Sequence, residues 1–295
     1  MAMDNDLRVR DFIGRLPEAD SKIHVIEFPS DHGVFTNRGR PGASKAPPLI
    51  RAALGNFTPH AVHYQKHTDT LERTTFAGTV PCENDVKKDQ QRLGNEISKR
   101  LQTGILPIIL GGGHETAFGH FLGYASSKKE VSIINIDAHA DVRPLKDRMP
   151  HSGSPFRQAI EHSSGCCKGY HVFGLNPSAV SFQHFNFAKS AGSAILEGDL
   201  TPHLFRDHVE KLDGPIMVTM DMDVVNQAEA PGVSAPNASG ISKELWLELA
   251  FEFGKCSKVA SIDLCEVNPL FDRDNQTVKL AALTVWHFLL GFSQR

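Results

Sequence analysis

The segment Val131–Asp141 reads VSIINIDAHAD and places a run of apolar residues directly before a cluster of polar ones. Val131–Ile136 is apolar at nearly every position, which is typical of a strand buried on both faces of a parallel sheet. Asp137, His139 and Asp141 follow at alternating positions, and side chains at this spacing share one face of an extended segment. The segment therefore predicts a buried strand whose carboxyl end carries metal-ligand chemistry.

Four other short runs, mostly apolar, have the same character: His24–Phe28, Ile105–Leu110, Ile216–Met220 and Val259–Leu264. Segments with apolar residues at helical spacing lie between them: Leu49–Leu54, Asp85–Thr103, Ser242–Phe253 and Thr277–Phe292. A turn-rich loop, NRGRPGASKAPP at Asn37–Pro48, joins the first strand to the first helix. This alternation predicts an α/β protein with a mostly parallel sheet, and we expect residues 1–295 to form one domain.

Composition excludes several classes of protein. The chain has 295 residues, a formal net charge of −3 and 40% hydrophobic residues, so nothing in it calls for nucleic acid or a membrane surface as a partner. Met1–Arg10 lacks the apolar stretch of a signal peptide, and no apolar run has the length of a membrane span. The five cysteines form no CxxC pair, which favours reduced thiols in a cytoplasmic protein. The oligomeric state stays open, with a homo-oligomer as one possibility.

Polar clusters follow four of the apolar runs at the point where each run ends. GGGHE occupies Gly111–Glu115, DAHAD occupies Asp137–Asp141, DMD occupies Asp221–Asp223, and Glu266 follows the last run. Because ligands of parallel sheets gather at the carboxyl ends of the strands, we expect these clusters to meet at one edge.

Six residues of these clusters form a candidate metal site: His114, Asp137, His139, Asp141, Asp221 and Asp223. A lone Asp or His at a strand end is usually a turn or cap residue, but here three strand ends each supply a cluster. Six ligands exceed one tetrahedral zinc site, and four buried carboxylates need compensating charge. Two divalent cations supply it, and ligation by oxygen and nitrogen without thiolate favours hard ions such as Mn²⁺. Two ions about 3.5–4 Å apart can share a water and lower its pKa towards about 7, giving a hydroxide nucleophile.

At these residues the chain resembles the ureohydrolase family of arginase and agmatinase. GGGHE, IDAHAD (Ile136–Asp141) and MDMDVV (Met220–Val225) are similar to its three metal motifs in order and interval, and the resemblance extends from about Asp31 to the C-terminus. It implies the arginase-like fold, a three-layer αβα sandwich around a mostly parallel central sheet, with two Mn²⁺ ions per subunit.

Two departures from the arginase and agmatinase pattern point to one branch of the family. Those enzymes usually carry Asp between the glycines and the histidine, whereas this chain has Gly113, followed by Glu115 after the histidine. The segment HSGSPFRQA (His151–Ala159) replaces a shorter His-Gly pattern. With the NRGRPGA loop, these features resemble the formimidoylglutamase branch. The resemblance implies hydrolysis of N-formimidoyl-L-glutamate to L-glutamate and formamide, a step of histidine degradation.

The cationic end of such a substrate needs a carboxylate. Glu266 matches the family's substrate-cation carboxylate, and with the metal ligand Asp141 it is expected to hold the amidine nitrogens. His151 matches the family's cleft histidine, which is proposed to shuttle protons, and an imidazole titrating near neutrality suits that task. A strand-end glutamate and a loop histidine are the plainer interpretations of these two residues.

The other end of the substrate carries two carboxylates. Arg143 lies two residues after Asp141, at a position where arginase has a neutral amide, and its guanidinium suits a carboxylate and repels an amine. Arg157 is a second candidate, with a solvated helix residue as an equally good interpretation. Ser234 and Asn237 are candidates for lining the cleft.

Three alternatives remain. The first is an agmatinase or guanidinobutyrase that releases urea, against which the charge of Arg143 argues. The second is a non-catalytic metal-binding protein of the same fold, but a degenerate relative is expected to have lost some of the six ligands, Glu266 or His151. The third is a deacetylase-type enzyme of related fold with one zinc ion, in which the second DxD pair and His114 would be surplus.

Overall fold

A computed structural model describes residues 6–295 of the chain. The first half of the polar segment Met1–Arg10 therefore lies outside the described residues. Within the described range, no helix has both the length and the apolar character that crossing a membrane requires.

Eight strands form one sheet in which every neighbouring pair is parallel. In chain order they are β1 Ile23–Phe28, β2 Thr74–Thr79, β3 Leu106–Gly111, β4 Val131–Ile136, β5 Cys167–Leu175, β6 Gly192–Leu196, β7 Ile216–Asp221 and β8 Val259–Cys265. Their order across the sheet is β2-β1-β3-β8-β7-β4-β5-β6. The four strands that precede polar clusters are thus immediate neighbours, β3, β8, β7 and β4, at the centre of the sheet.

The α-helices of the described residues are α1 His32–Thr36, α2 Ala46–Gly55, α3 Tyr64–Glu72, α4 Val86–Thr103, α5 Thr116–Ser127, α6 Pro155–Ile160, α7 Phe182–Ala191, α8 Pro202–Lys211, α9 Lys243–Lys255 and α10 Gln276–Phe292. One apolar core joins the sheet to α2, α8, α9 and α10. A second core joins the other face to α4, α5, α6 and α7. The predicted three-layer αβα sandwich is confirmed, and the sheet is parallel throughout.

All five strands predicted from apolar runs are present, but β2, β5 and β6 were not predicted. β2 and β6 are the edge strands and are largely half-exposed, so their residues need not be apolar. β5 begins with the sequence CKG before its buried part, so the strand does not begin as an apolar run.

The turn-rich loop after β1 ends earlier than predicted, because Pro47 and Pro48 lie in the first turn of α2, where proline is tolerated.

α9 and α10 pack closely against each other. A Cβ atom added to Gly254 in α9 would overlap the carbonyl oxygen of Phe288, and one added to Gly291 in α10 would overlap the carbonyl oxygen of Phe251. Each glycine therefore lets the backbone of the opposite helix approach where any side chain would hold it away.

We expect Gly254→Ala to lower the free energy of unfolding by about 1–3 kcal/mol, because the overlap is with backbone that cannot rotate away. This loss outweighs the gain of about 1 kcal/mol that alanine brings to a helix. Urea unfolding measures the change. Gly198→Ala is the matched control, because a Cβ there meets no atom within 4 Å. Equal stability of the two variants would contradict the close packing.

Candidate metal centre and substrate cleft

His114 lies on the turn between β3 and α5, where three carboxylates converge on one nitrogen of its ring. The His114 Nδ1 atom is 2.9 Å from Asp221 Oδ2, 3.0 Å from Asp141 Oδ2 and 3.2 Å from Asp137 Oδ2. The ring is almost fully buried. A single ring nitrogen carries at most one hydrogen, so it can satisfy only one of these oxygens.

A second group stands beside the first and shares a residue with it. His139 Nδ1 is 3.1 Å from Asp223 Oδ2 and 3.5 Å from Asp137 Oδ1. Asp137 therefore turns one carboxylate oxygen to His114 and the other to His139. These two groups are compatible with neighbouring cations that share one carboxylate.

The two aspartate motifs use the same local turn. Asp137 Oδ1 accepts a hydrogen bond from the N–H of His139 at 2.6 Å, and Asp221 Oδ1 accepts one from the N–H of Asp223 at 2.8 Å. β4 ends at Ile136 and β7 at Asp221, so the motifs bend after the strands and do not continue in extended form. The prediction that alternation along a strand brings the side chains together was wrong on this point: the turns bring them together. Asp141 has a left-handed backbone with φ of 46°.

The cluster carries more negative charge than its own residues balance. Burial raises the pKa of Asp221 and of Asp223, and neighbouring carboxylates raise both further. Asp223 Oδ1 is buried and has no hydrogen-bond partner among the described residues. Burial opposes protonation of His114, yet Asp221 and the other carboxylates raise its pKa well above the usual value. Divalent cations among these oxygens would satisfy both the charge and the unpaired atom.

A buried network behind His114 fixes which of its nitrogens faces the carboxylates. The Thr219 hydroxyl donates its one hydrogen to Asp263 Oδ1 at 2.7 Å, and Thr219 Oγ1 lies 2.8 Å from His114 Nε2. Nε2 must therefore be the donor to Thr219. In the neutral ring Nδ1 is then a bare lone pair directed at three carboxylate oxygens, an arrangement that a cation between them makes favourable.

The same network continues away from the cluster. Asp263 Oδ2 lies 2.6 Å from His120 Nδ1, and His120 Nε2 lies 2.6 Å from Ser261 Oγ. The Tyr124 hydroxyl lies 2.6 Å from the same Ser261 oxygen. All of these side chains are buried, so the orientation of His114 is tied to groups deep in the sheet.

Glu266 stands at the inner end of a cleft of about 190 Å³. Its Oε1 accepts a hydrogen bond from the N–H of His114 at 2.8 Å, and its backbone is left-handed with φ of 66°. Burial raises the pKa of Glu266 to about 7. The cleft is lined by Val34, Asn37, Arg38, Gly39, His139, Asp141, Arg143, Ser152, Asp221, Asp223, Ser234, Ala235 and Glu266.

The predicted arginines occupy different places. Arg143 is exposed, lines the cleft and donates from Nη1 to Asn37 Oδ1 at 3.2 Å. Arg157 is not among the lining residues. Its Nε donates to the carbonyl of Val142, Nη1 pairs with Glu161 at 2.9 Å, and the guanidinium lies 4.0 Å over the Phe187 ring. Its role as a carboxylate contact stays a prediction.

His151 is buried and also absent from the lining residues. Its Nδ1 accepts a hydrogen bond from the N–H of Gly153, and Nε2 lies 3.1 Å from the carbonyl oxygen of Pro144. Burial lowers its pKa. The ring thus ties together the segments that carry Arg143 and Ser152, and its predicted role in proton transfer stays a prediction.

Of the two loop candidates after β7, Ser234 lines the cleft and Asn237 does not. Asn237 is buried and accepts a hydrogen bond from Asn176 Nδ2 at 2.8 Å. The structure also places Asn37 and Arg38 in the cleft, which sequence reasoning missed. Their segment was recognised as a turn-rich loop and, in NRGRPGA, as a feature of one branch of the family, but no motif distinguishes residues at its start from the turn residues that follow.

Glu115 explains why position 113 carries no side chain. Its carboxylate accepts hydrogen bonds from the N–H of Gly33 at 2.8 Å and from the Ser30 hydroxyl at 3.1 Å, and so holds the start of α1. A Cβ on Gly113 would overlap Glu115 Oε2 and the Val34 side chain. Burial and the nearby Glu266 carboxylate raise the pKa of Glu115 to about 8.

Comparison with known proteins agrees with this geometry. The chain is 36% identical over 300 residues to formimidoylglutamase from Geobacillus thermodenitrificans, covering 97% of this chain and 89% of that one. The crystal structure of Trypanosoma cruzi formiminoglutamase with Mn²⁺ is similar with a TM-score of 0.91 at 26% identity, covering 99% of this chain and 100% of that one. Formimidoylglutamase from Bacillus subtilis gives a TM-score of 0.88 at 26% identity, covering 98% and 93%.

A family description, the arginase family, matches residues 21–291. This range holds all eight strands and every residue of the metal cluster and cleft described above. The chain therefore belongs to the arginase family.

Proposed function

We propose that the protein is a binuclear manganese hydrolase that cleaves N-formimidoyl-L-glutamate with water to L-glutamate and formamide, a step of histidine degradation. The observation that carries the metal site is the convergence of oxygens from Asp137, Asp141 and Asp221 on the Nδ1 atom of His114. The choice of substrate is supported by Arg143 in the cleft and by the names of the relatives.

The proposed ligands divide into two sets that share Asp137. His114, Asp137, Asp141 and Asp221 would hold one ion, and Asp137, His139 and Asp223 the other. Oxygen and imidazole ligands without thiolate suit Mn²⁺. A pair of divalent ions bound there would lower the pKa of a water molecule and so supply the nucleophile at neutral pH.

The remaining residues place the substrate by charge. The formimidoyl group is a planar amidinium, and we propose that Glu266 and Asp141 orient its nitrogens at the buried end of the cleft. Arg143 at the exposed end then receives a carboxylate of the glutamate part. Charge therefore sets the direction in which the substrate enters.

Hydrolysis requires one bond to form and one to break. Oxygen from water bonds to the amidine carbon, the bond from that carbon to the glutamate nitrogen breaks, and this nitrogen takes up a proton. His151 is the proposed donor, as expected from its place in the sequence. Because its Nε2 lies against the Pro144 carbonyl, the ring must leave that contact before it can donate.

We expect the Mn²⁺-loaded protein to release formamide from N-formimidoyl-L-glutamate faster than it releases urea from agmatine or arginine. Parallel steady-state assays of kcat/KM on the three substrates measure this preference. Highest activity on arginine would contradict the proposed substrate.

Asp223→Ala or Asp141→Ala should abolish turnover and lower the bound manganese below two ions per chain. Asp223→Ala removes a carboxylate that only the second ligand set contains. Elemental analysis of dialysed protein counts the metal independently of activity. Asp213→Ala is the matched control, because Asp213 is exposed and outside the cleft. Full activity with one ion per chain would contradict the binuclear site.

Arg143→Gln should raise KM for N-formimidoyl-L-glutamate at least about tenfold, because a hydrogen bond between charged groups contributes about 1.5–3 kcal/mol. The same substitution should leave KM for agmatine unchanged or lower it, since a cation near an amine is repelled. Steady-state kinetics on both substrates separate the two effects. Equal increases in KM for both would show a general disturbance of the cleft.

A further inference from the structure

The loop that follows α1 forms one wall of the cleft and is held in place by backbone contacts. The N–H of Arg38 donates to the Phe35 carbonyl at 2.9 Å, and the N–H of Gly39 donates to the Val34 carbonyl at 2.9 Å. Arg38 has a left-handed backbone with φ of 64°, a conformation that costs energy for a residue with a side chain.

A neighbouring arginine fastens the same loop to the opposite wall. Arg40 donates to the carbonyl oxygens of Val233 at 2.6 Å and Ser234 at 3.1 Å, and its guanidinium lies 4.0 Å over the ring of Phe271. The position of Arg38 is thus set by contacts that do not use the Arg38 side chain.

The Arg38 side chain has no such structural partner. It is exposed and lines the cleft, and among the described residues it takes part in no hydrogen bond or ion pair. The guanidinium of Arg157, by contrast, is occupied by contacts with Val142, Glu161 and Phe187. The guanidinium of Arg38 lies at the mouth of the cleft with its donors unpaired among the described residues, so it is suited to bind an anionic group of a ligand.

Charge is ordered along the cleft from the buried end to the exposed end. Asp141, Asp221, Asp223 and Glu266 lie at the buried end, and Arg38 and Arg143 are exposed at the mouth. N-formimidoyl-L-glutamate has one cationic group and two carboxylates. Arg38 and Arg143 are the two arginines among the residues that line the cleft, which equals the number of carboxylates.

We propose that Arg38 binds one of the two carboxylates of the substrate while Arg143 binds the other, and that this pair selects a dicarboxylate. This inference rests on the proposed function, since it names the residue that recognises the second anionic group of the same substrate.

Arg38→Gln tests the role of this side chain in the manganese-loaded protein. KM for N-formimidoyl-L-glutamate should rise at least about tenfold while kcat changes by less than about threefold, because the contact is made equally in the ground state and the transition state. Arg38→Lys should restore part of the loss, because it returns the charge without the planar pair of donors.

Two analogues assign the carboxylate. N-formimidoyl-4-aminobutyrate lacks the α-carboxylate, and N-formimidoyl-2-aminobutyrate lacks the γ-carboxylate. For the analogue that lacks the group held by Arg38, Arg38→Gln should leave KM unchanged, while for the other analogue KM should still rise. Arg73→Gln is the control, because Arg73 is exposed and lies outside the cleft, and its substitution removes the same charge.

Calorimetric titration with L-glutamate gives a readout that does not depend on turnover. Arg38→Gln should weaken glutamate binding at least about tenfold, and Arg73→Gln should not. Unchanged KM and unchanged glutamate affinity in Arg38→Gln would overturn the inference and leave the proposed function standing. If the unmodified protein does not hydrolyse N-formimidoyl-L-glutamate, the proposed function fails, and the glutamate titration still decides whether Arg38 binds a dicarboxylate.

Discussion

The hydroxyl of Thr219 has a single hydrogen, and Asp263 on the neighbouring strand receives it. The parallel register of β7 and β8 sets these two residues directly opposite each other, and because a carboxylate only accepts, the hydroxyl must be the donor. It leaves Thr219 only as an acceptor for His114 Nε2, and that in turn directs the Nδ1 lone pair at the carboxylates. The chemistry of the cluster thus depends on the alignment of two central strands, and the backbone turns after β4 and β7 complete it.

The central part of the fold could be predicted because a strand buried on both faces has a mostly apolar sequence. The runs that became β3, β4, β7 and β8 are mostly apolar, and their polar ends meet because these strands are adjacent in the sheet. The edge strands β2 and β6 keep only part of their surface buried, so the same criterion could not find them.

The residues of the candidate site also differ in whether the sequence could predict them. The six candidate ligands and Glu266 could be predicted because each follows a buried strand and matches a motif. The proposed role of Arg38 could not, since it rests on a loop conformation and on the lack of partners for its side chain among the described residues. The sequence already favoured Arg143 over Arg157 by its place after Asp141, and the structure adds the tertiary contacts of Arg157 with Glu161 and Phe187. The Thr219–Asp263 pair was hidden inside apolar runs.

The contact between Glu115 and position 113 bears on how this family has diversified. Glu115 and an aspartate at 113 compete for one space, so gaining the aspartate first creates an overlap. Losing Glu115 first leaves the Gly33 N–H and the Ser30 hydroxyl without their acceptor. Either single exchange is therefore expected to destabilise this chain. Gly113 and Glu115 are therefore expected to be inherited together, so that this short motif can distinguish branches of the family.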